Sequence, residues 1–120
     1  MSHADIEETV AIKVIIAGGR DYELTELDFS RLDELSIKEV VSGGAKGADL
    51  GGEIWAQSRK VPVKKFPADW KRFGPAAGPK RNQAMAEYAD AVVLFPGGKG
   101  TASMRLLAEK EGILIYDFAY

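Results

Sequence analysis

The sequence contains no cysteine and only one histidine, and each shortage excludes a familiar class of functional site. Without cysteine there is no disulfide, no thiolate metal ligand and no thiol nucleophile. The one histidine, His3, lies in a polar stretch near the start, where a catalytic group would not be held still. Histidine triads and zinc-hydrolase motifs are therefore excluded, and no metal site is predicted. Any catalytic acid or base must come from Asp, Glu, Lys, Tyr or the substrate.

The sequence also lacks a long apolar segment and an export signal. Its longest apolar run, Ala91–Phe95, is far shorter than the ~18 residues that a membrane-spanning helix needs. Asp5, Glu7 and Glu8 stand where a signal peptide would carry positive charge. We therefore expect no membrane partner and a cytoplasmic location.

A chain of 120 residues, 46% of them hydrophobic and 28% charged, has the composition of one globular domain with one core. We expect residues 1–10 to form a flexible leader and residues 11–120 to form a single domain. The net charge is only −2, but residues 59–81 carry eight Lys or Arg against the one carboxylate of Asp69. Because a duplex-DNA binder is usually basic overall, this distribution favours a local anion site and disfavours duplex DNA as a partner.

Short apolar runs rich in β-branched residues alternate with amphipathic stretches, which predicts an α/β fold. Five strands are predicted, at Ile12–Ala17, Val40 and Val41, Val61–Phe66, Ala91–Phe95 and Ile113–Tyr116. The first, fourth and fifth are continuous apolar blocks, a pattern typical of parallel strands covered by helices on both faces.

Four helices are predicted between the strands. The first starts at a capping box of Thr25 and Asp28, and the second runs over 49–59 with Leu50 and Ile54 on one face. The third starts at Gly78 and Pro79, and the fourth runs from about Thr101 to Gly112.

The third strand carries a proline and two lysines, which suit the edge of a sheet. Right-handed crossovers then give a parallel sheet of order 3-2-1-4-5 with helices on both faces, a three-layer sandwich. Such a sheet binds ligands at the carboxyl ends of its strands, next to the point where the strand order reverses.

Glycines are concentrated in the three loops that follow strands 1, 2 and 4. These are Gly18 and Gly19; Gly43, Gly44 and Gly47; and Gly97, Gly98 and Gly100. Bare backbone allows close approach of a ligand, and a helix that begins just beyond offers unpaired N–H groups to an anion. Tight strand-to-helix turns are the alternative interpretation. Neither the dinucleotide nor the Walker spacing is present, so a standard NAD dehydrogenase or P-loop NTPase is disfavoured.

Several cations occupy positions that oppose the dipole of a following helix. Lys46 and Lys99 precede predicted helices, Lys80 and Arg81 fall in a first turn, and Arg20 follows a glycine pair. A bound anion would turn this unfavourable placement of the cations into a favourable one. The alternative is that the long side chains extend into solvent, where the helix dipole costs them little. These positions are therefore candidate anion ligands.

For the other candidates near these loops, the sequence leaves two roles open: ligand binding and structural support. Trp70 could stack on a base or seal the edge of the core. Asp21 and Asp49 could receive ribose hydroxyls or a magnesium ion, or cap the following helices, and Asn82 could bind ligand or fix its loop.

Five motifs occur in the order found in the YspA-like branch of the SLOG superfamily, and the chain resembles it from about residue 12 to 117. They are Ala17-Gly18-Gly19-Arg20-Asp21, the segment from Ser42 to Asp49, Pro67-Ala68-Asp69-Trp70, the segment from Ala77 to Asn82, and the segment from Phe95 to Ala102. The resemblance implies a Rossmann-like fold that binds nucleotides or nucleotide-derived ligands. The superfamily also includes the DNA-processing protein A domain and the LOG phosphoribohydrolases.

The last motif matches only part of the LOG signature. LOG enzymes carry P-G-G-x-G-T-x-E-E, whereas this chain continues from Thr101 with Ala102, Ser103 and Met104. Without the two catalytic glutamates the LOG activity is not implied. The phosphate cradle is implied, with Pro96, Gly97, Gly98, Gly100 and Thr101 around a phosphate. The resemblance also implies that Gly43, Gly44 and Arg81 lie on the same ligand, and Ser42, at the start of its motif, is a further candidate ligand-binding residue.

Three functions follow as hypotheses. The first is a nucleotide-binding module or sensor that uses the loops after strands 1, 2 and 4. The second is a nucleotide hydrolase with Asp49, Asp21 or Glu53 in place of the missing glutamates. The third is binding of single-stranded nucleic acid by residues 64–81, with Trp70 as a stacking platform. No cofactor is required, although Mg²⁺ could accompany a nucleotide, and a homo-oligomer, dimer or higher, is expected.

Overall fold

A computed structural model of the chain describes residues 10–118, so the predicted leader lies almost entirely outside the described residues. The strands are β1 (Ile12–Ala17), β2 (Ile37–Ser42), β3 (Val63–Lys65), β4 (Ala91–Leu94) and β5 (Leu114–Asp117). The helices are α1 (Glu26–Asp33), α2 (Ala48–Ser58), the single turn α3 (Trp70–Phe73), α4 (Ala77–Tyr88) and α5 (Lys99–Glu111). A short 3₁₀ turn, Gly74–Ala76, joins α3 to α4.

The strands form one parallel sheet of order β3-β2-β1-β4-β5, which confirms the predicted α/β topology. β1 lies at the centre, where Val14 pairs with Val40 of β2 on one side and with Ala91 of β4 on the other. The strand order reverses between β1 and β4, as predicted. The fold is therefore Rossmann-like.

Alternation along β1 divides the core between the two faces of the sheet. Val14 and Ile16 pack with the buried residues of α1 and α2, including Trp55. Ile15 and Ala17 pack with the buried residues of α4 and α5, including Met85. Side chains point to opposite faces with a period of two, so a continuous apolar strand fills two cores at once.

The start of α1 is fixed by local sequence. Thr25 Oγ1 accepts a hydrogen bond from the backbone N–H of Asp28, and the Asp28 carboxylate accepts one from the backbone N–H of Thr25. Tyr22 Oη also donates to Asp28 over 2.6 Å, which anchors the preceding loop to the same carboxylate. This confirms the predicted capping box.

Several predicted elements differ from those observed. Among residues 10–118, β5 lies at the edge of the sheet: Leu114, predicted in a covered strand, is 57% exposed, while Ile115 and Tyr116 pack against the cores on opposite faces. Leu50 and Ile54 share a side of α2, but that side is half-exposed, since small residues and Trp55 form the buried face.

Helix starts also shift by one or two residues. α4 begins at Ala77, continuing from the 3₁₀ turn, so Pro79 is its third residue and Arg81 lies beyond the first turn. α5 begins at Lys99, so Lys99 and Gly100 lie inside the helix rather than before it.

Candidate functional site

A cleft of about 730 Å³ opens at the carboxyl ends of β1 and β4, beside the point where the strand order reverses. The loops after these two strands form its walls, and residues from α2, α4 and α5 complete it. Twelve of the residues predicted from the sequence line it: Gly18, Gly19, Arg20, Asp21, Asp49, Arg81, Asn82, Pro96, Gly97, Gly98, Gly100 and Thr101.

Glycines form the floor of the cleft because the loops after β1 and β4 touch each other. The backbone N–H of Gly19 donates to the carbonyl of Pro96 over 2.8 Å. A Cβ atom on Gly18 would lie 2.7 Å from the Cβ of Ala48, and one on Gly97 would lie 2.7 Å from the Gly19 nitrogen. Gly18 and Gly97 are therefore required by contacts within the protein itself, and a Cβ on Gly19 would be in tight contact, 3.2 Å from the Pro96 carbonyl oxygen.

Gly98 and Gly100 differ from the floor glycines, because a Cβ atom at either would meet no atom of residues 10–118 within 4 Å. Gly98 is the N-cap of α5 and makes no side-chain cap, and the first turn that follows contains no acidic residue. The N–H groups of a first turn have no partner within the helix and carry partial positive charge. The bare end of α5 therefore offers donors to an anion in the cleft.

Arg81 reaches the cleft from α4 and is held in a fixed orientation. Its NH1 group donates to the carbonyl of Gly43 over 2.7 Å, and its Nε donates to Asn82 Oδ1 over 2.8 Å. A Cβ on Gly43 would lie 2.7 Å from this guanidinium. Because Gly43 has no side chain, the half-buried Arg81 can pack against it at the wall of the cleft.

The N-terminus of α2 is covered rather than open. Gly47, its N-cap, has φ of +76°, and a Cβ there would lie 2.5 Å from the carbonyl oxygen of Arg20. The backbone N–H of Ala48 donates to the carbonyl of Gly19 over 3.3 Å. The loop after β1 therefore lies over this helix end.

Two acids on α2 that were candidates for catalysis have different surroundings. Asp49 lines the cleft, and its Oδ2 accepts from the backbone N–H of Ala45 over 3.2 Å. Burial raises the pKa of Asp49, opposed by backbone hydrogen bonds and by the positive charge of Arg81. Glu53 does not line the cleft; its Oε2 accepts from Ser42 Oγ over 2.6 Å.

Ser42 and Glu53 support the loop after β2 through hydrogen bonds from its buried side. Ser42 is buried, and its Oγ also accepts from the backbone N–H of Gly44 over 3.0 Å. Lys65 Nζ lies 3.8 Å from Glu53 Oε1. Seven predicted ligand-binding candidates lie outside the lining of the cleft: Ser42, Gly43, Gly44, Lys46, Gly47, Trp70 and Lys80.

Trp70 lies on α3, away from the cleft lining, and is 59% exposed. Its ring packs over Gly78, where an added Cβ would lie 3.3 Å from Trp70 Cη2. Phe73, on the same turn, has the Arg72 guanidinium and the Lys80 ammonium each 4.9 Å from its ring centroid. We call Trp70, Lys71, Arg72, Phe73 and Lys80 the α3 patch.

The cleft also contains residues that were not among the predicted site residues. They are Ala17, Tyr22, Ala45 and Met104. Lys99, predicted as a candidate anion ligand from its place at a helix start, also lines the cleft. Tyr22 had no usable signal, because it reaches the cleft by stacking on Phe95, with ring centroids 5.6 Å apart, and that contact is tertiary.

Within residues 10–118, no group of three or more His, Cys, Asp or Glu side chains is arranged to hold a metal ion. Among the same residues, no helix has the length and apolar character to cross a membrane.

The sequence was compared with models of known protein families. The sequence model of the YspA, cpYpsA-related SLOG family matches residues 12–73, just over half of the chain. The chain belongs to this SLOG family. No curated protein sequence matches the chain.

A solved structure supports the fold of this SLOG protein over a longer segment. DNA processing protein A (DprA) from Streptococcus pneumoniae superimposes with a TM-score of 0.70 and 17% sequence identity. The match covers 89% of this chain and 50% of the DprA chain, so the SLOG protein spans about half of that neighbour's length. At this identity the likeness establishes the fold.

The family match ends at residue 73, before β4 and the loop that follows it. In this SLOG protein, Gly98, Gly100 and the first turn of α5 therefore lie outside the matched segment.

Proposed function

We propose that this protein binds a nucleotide, or a nucleotide-derived phosphorylated ligand, in the cleft between β1 and β4, as a sensor or ligand-binding module. The phosphate lies against the first turn of α5, where Gly98 and Gly100 leave space for it. Arg81 and Lys99 supply positive charge beside it. Membership of a SLOG family supports the same ligand class at a coarse level.

One observation carries this proposal. Gly18, Gly19 and Gly97 are explained by contacts between loops, but Gly98 and Gly100 face open space at an uncapped helix end. Bare backbone with unpaired N–H groups, in a cleft with a fixed guanidinium, is an arrangement suited to an anion.

Thermal unfolding with a panel of nucleoside mono-, di- and triphosphates tests the proposal. A ligand at about 100 times its Kd should stabilise the protein by about 2.7 kcal/mol. Gly98→Val should remain folded and lose this stabilisation, because its side chain enters the phosphate position. Ala102→Val adds bulk to the same helix outside the cleft lining and should keep it. Equal stabilisation of both variants would refute the phosphate position.

Hydrolysis of the bound nucleotide is the second candidate function, and the raised pKa of Asp49 in the cleft favours it. Asp49 would act as base or stabiliser at the ribose, while Glu53 is engaged with Ser42. Release of free base or phosphate during incubation, lost in Asp49→Asn, is the expected result. Full turnover by that variant would remove Asp49 from the mechanism. If the native protein releases no product, the hydrolase hypothesis is rejected and the binding module is retained.

A further inference from the structure

A second pocket, of about 520 Å³, lies between α1 and α2 on the other side of the loop that follows β1. Arg20 and Asp21 line both this pocket and the cleft, so the two cavities share a wall. A volume of this size falls within the range of small-ligand sites.

The pocket is walled by four apolar side chains: Leu24, Phe29, Leu50 and Ile54. Leu50 is 50% exposed and Ile54 49% exposed, although both lie on a helix whose opposite face is buried in the core. Gly51 shapes the floor, because a Cβ there would lie 2.8 Å from Leu24 Cδ1. Removing this apolar surface from water would stabilise any flat apolar group placed there.

The rim of the pocket selects for hydrogen-bond donors. Asp21 and Glu23 line it, and among the described residues neither makes a side-chain hydrogen bond or ion pair. An ionised carboxylate only accepts hydrogen bonds. A ring that carries N–H groups at its edge satisfies both the apolar walls and the acidic rim.

We infer that this pocket, through Phe29, Leu50 and Ile54, binds the planar heteroaromatic ring of the ligand whose phosphate lies in the cleft. The inference rests on the proposed function and assigns the part of the site that binds the base and distinguishes one base from another. The Arg20–Asp21 wall shared by the two cavities is where the sugar crosses. Phe29, Leu50 and Ile54 are thus specificity-determining residues.

Calorimetric titration with ribose 5-phosphate and with AMP, GMP, CMP and UMP tests the inference. The native protein should bind at least one nucleotide about tenfold more tightly than ribose 5-phosphate, because only the nucleotide fills the pocket. Ile54→Trp fills the pocket and should reduce that nucleotide to the affinity of ribose 5-phosphate. Its affinity for ribose 5-phosphate itself should stay within about twofold, which also reports that the variant is folded.

Leu27→Trp is the matched control, because Leu27 is 67% exposed on α1 and does not line the pocket. It should bind every probe as the native protein does. Leu50→Trp repeats the test from a second wall position if Ile54→Trp does not fold.

Three results would overturn the inference, and they differ in what else they overturn. Equal affinity of the native protein for ribose 5-phosphate and all four nucleotides refutes the ring site alone. Native affinity of Ile54→Trp for the preferred nucleotide refutes the ring site. If light scattering then shows that the variant has an altered mass, the pocket is assigned to contact between copies of the chain. Failure of the native protein to bind any of the five probes refutes the proposed function as well.

Discussion

Asp49 and Glu53 lie one turn apart on α2, and their surroundings give them different roles. Glu53 accepts a hydrogen bond from Ser42 and has Lys65 3.8 Å away, so its charge supports the loop after β2. Asp49 faces the cleft, where burial raises its pKa. A carboxylate with a perturbed pKa in a cleft is a candidate acid or base, so Asp49 rather than Glu53 is the candidate on this helix.

Asp49→Asn should raise the free energy of unfolding at pH 7, and the gain over the native protein should shrink as the pH falls. The pKa of Asp49 is raised in the folded protein above its ordinary value of 3.8, so ionisation favours the unfolded chain. The stability of the protonated form is fully present below 3.8 and is lost as the pH rises through the folded value. Asparagine mimics the protonated form and keeps an acceptor for Ala45.

Urea unfolding of both proteins across this pH range measures the difference. A gain that increased as the pH fell would show that the charged carboxylate stabilises the fold.

The two helix ends that follow glycine-rich loops differ in what they can bind. The first N–H of α2 is directed to the Gly19 carbonyl, and Asp49 adds negative charge in its first turn. α5 has neither a capping side chain nor an acid in its first turn. Of these two elements, α5 is therefore the one free to hold an anion.

Gly100→Ala should stabilise the free protein and weaken ligand binding. Gly100 is the second residue of α5 and an added methyl group meets nothing within 4 Å, so alanine brings its higher helix propensity without a clash. The expected gain in unfolding free energy is up to about 1 kcal/mol. The same methyl group occupies space proposed for the phosphate, and calorimetric titration should show a higher Kd. A variant that gained stability and bound normally would place the ligand elsewhere.

Element prediction succeeded where the signals were local. The Thr25–Asp28 capping box requires only residues three apart, and the structure contains it. The single turn α3 was missed, although Asp69 accepts from the backbone N–H of Arg72 as an N-cap. With Gly74 and Pro75 directly after it, the segment has no helical periodicity to detect.

At the scale of the whole molecule, the α3 patch lies apart from the cleft lining. It contains two exposed rings beside three cations, and the neighbouring Asp69 caps α3. Exposed aromatic rings with cations are typical of surfaces that stack single-stranded bases. The hypothesis of single-stranded nucleic-acid binding therefore stays a prediction, now assigned to this patch.

Binding of a single-stranded oligonucleotide should quench the fluorescence of Trp70, whereas Trp55, 2% exposed, gives a constant background. Trp70→Phe should remove the quenching. Arg72→Ala should reduce the slope of log affinity against log salt by about 0.7. Lys110→Ala, on the exposed last turn of α5, is the control and should leave both measurements unchanged. No retention of oligonucleotide at low salt would reject the hypothesis.

The sequence by itself determined the α/β class, the order of the sheet, the capping box of α1 and the three glycine-rich loops. These features depend on periodicity, β-branched runs and short-range contacts, which neighbouring residues set. The tertiary structure alone decided which glycines serve packing and which face open space: a Cβ on Gly97 would clash with Gly19, whereas one on Gly98 would meet no described atom within 4 Å. It likewise decided that Asp49 lies in the cleft and Glu53 outside it. The distances that separate these cases join segments far apart in the chain, and no local pattern encodes them.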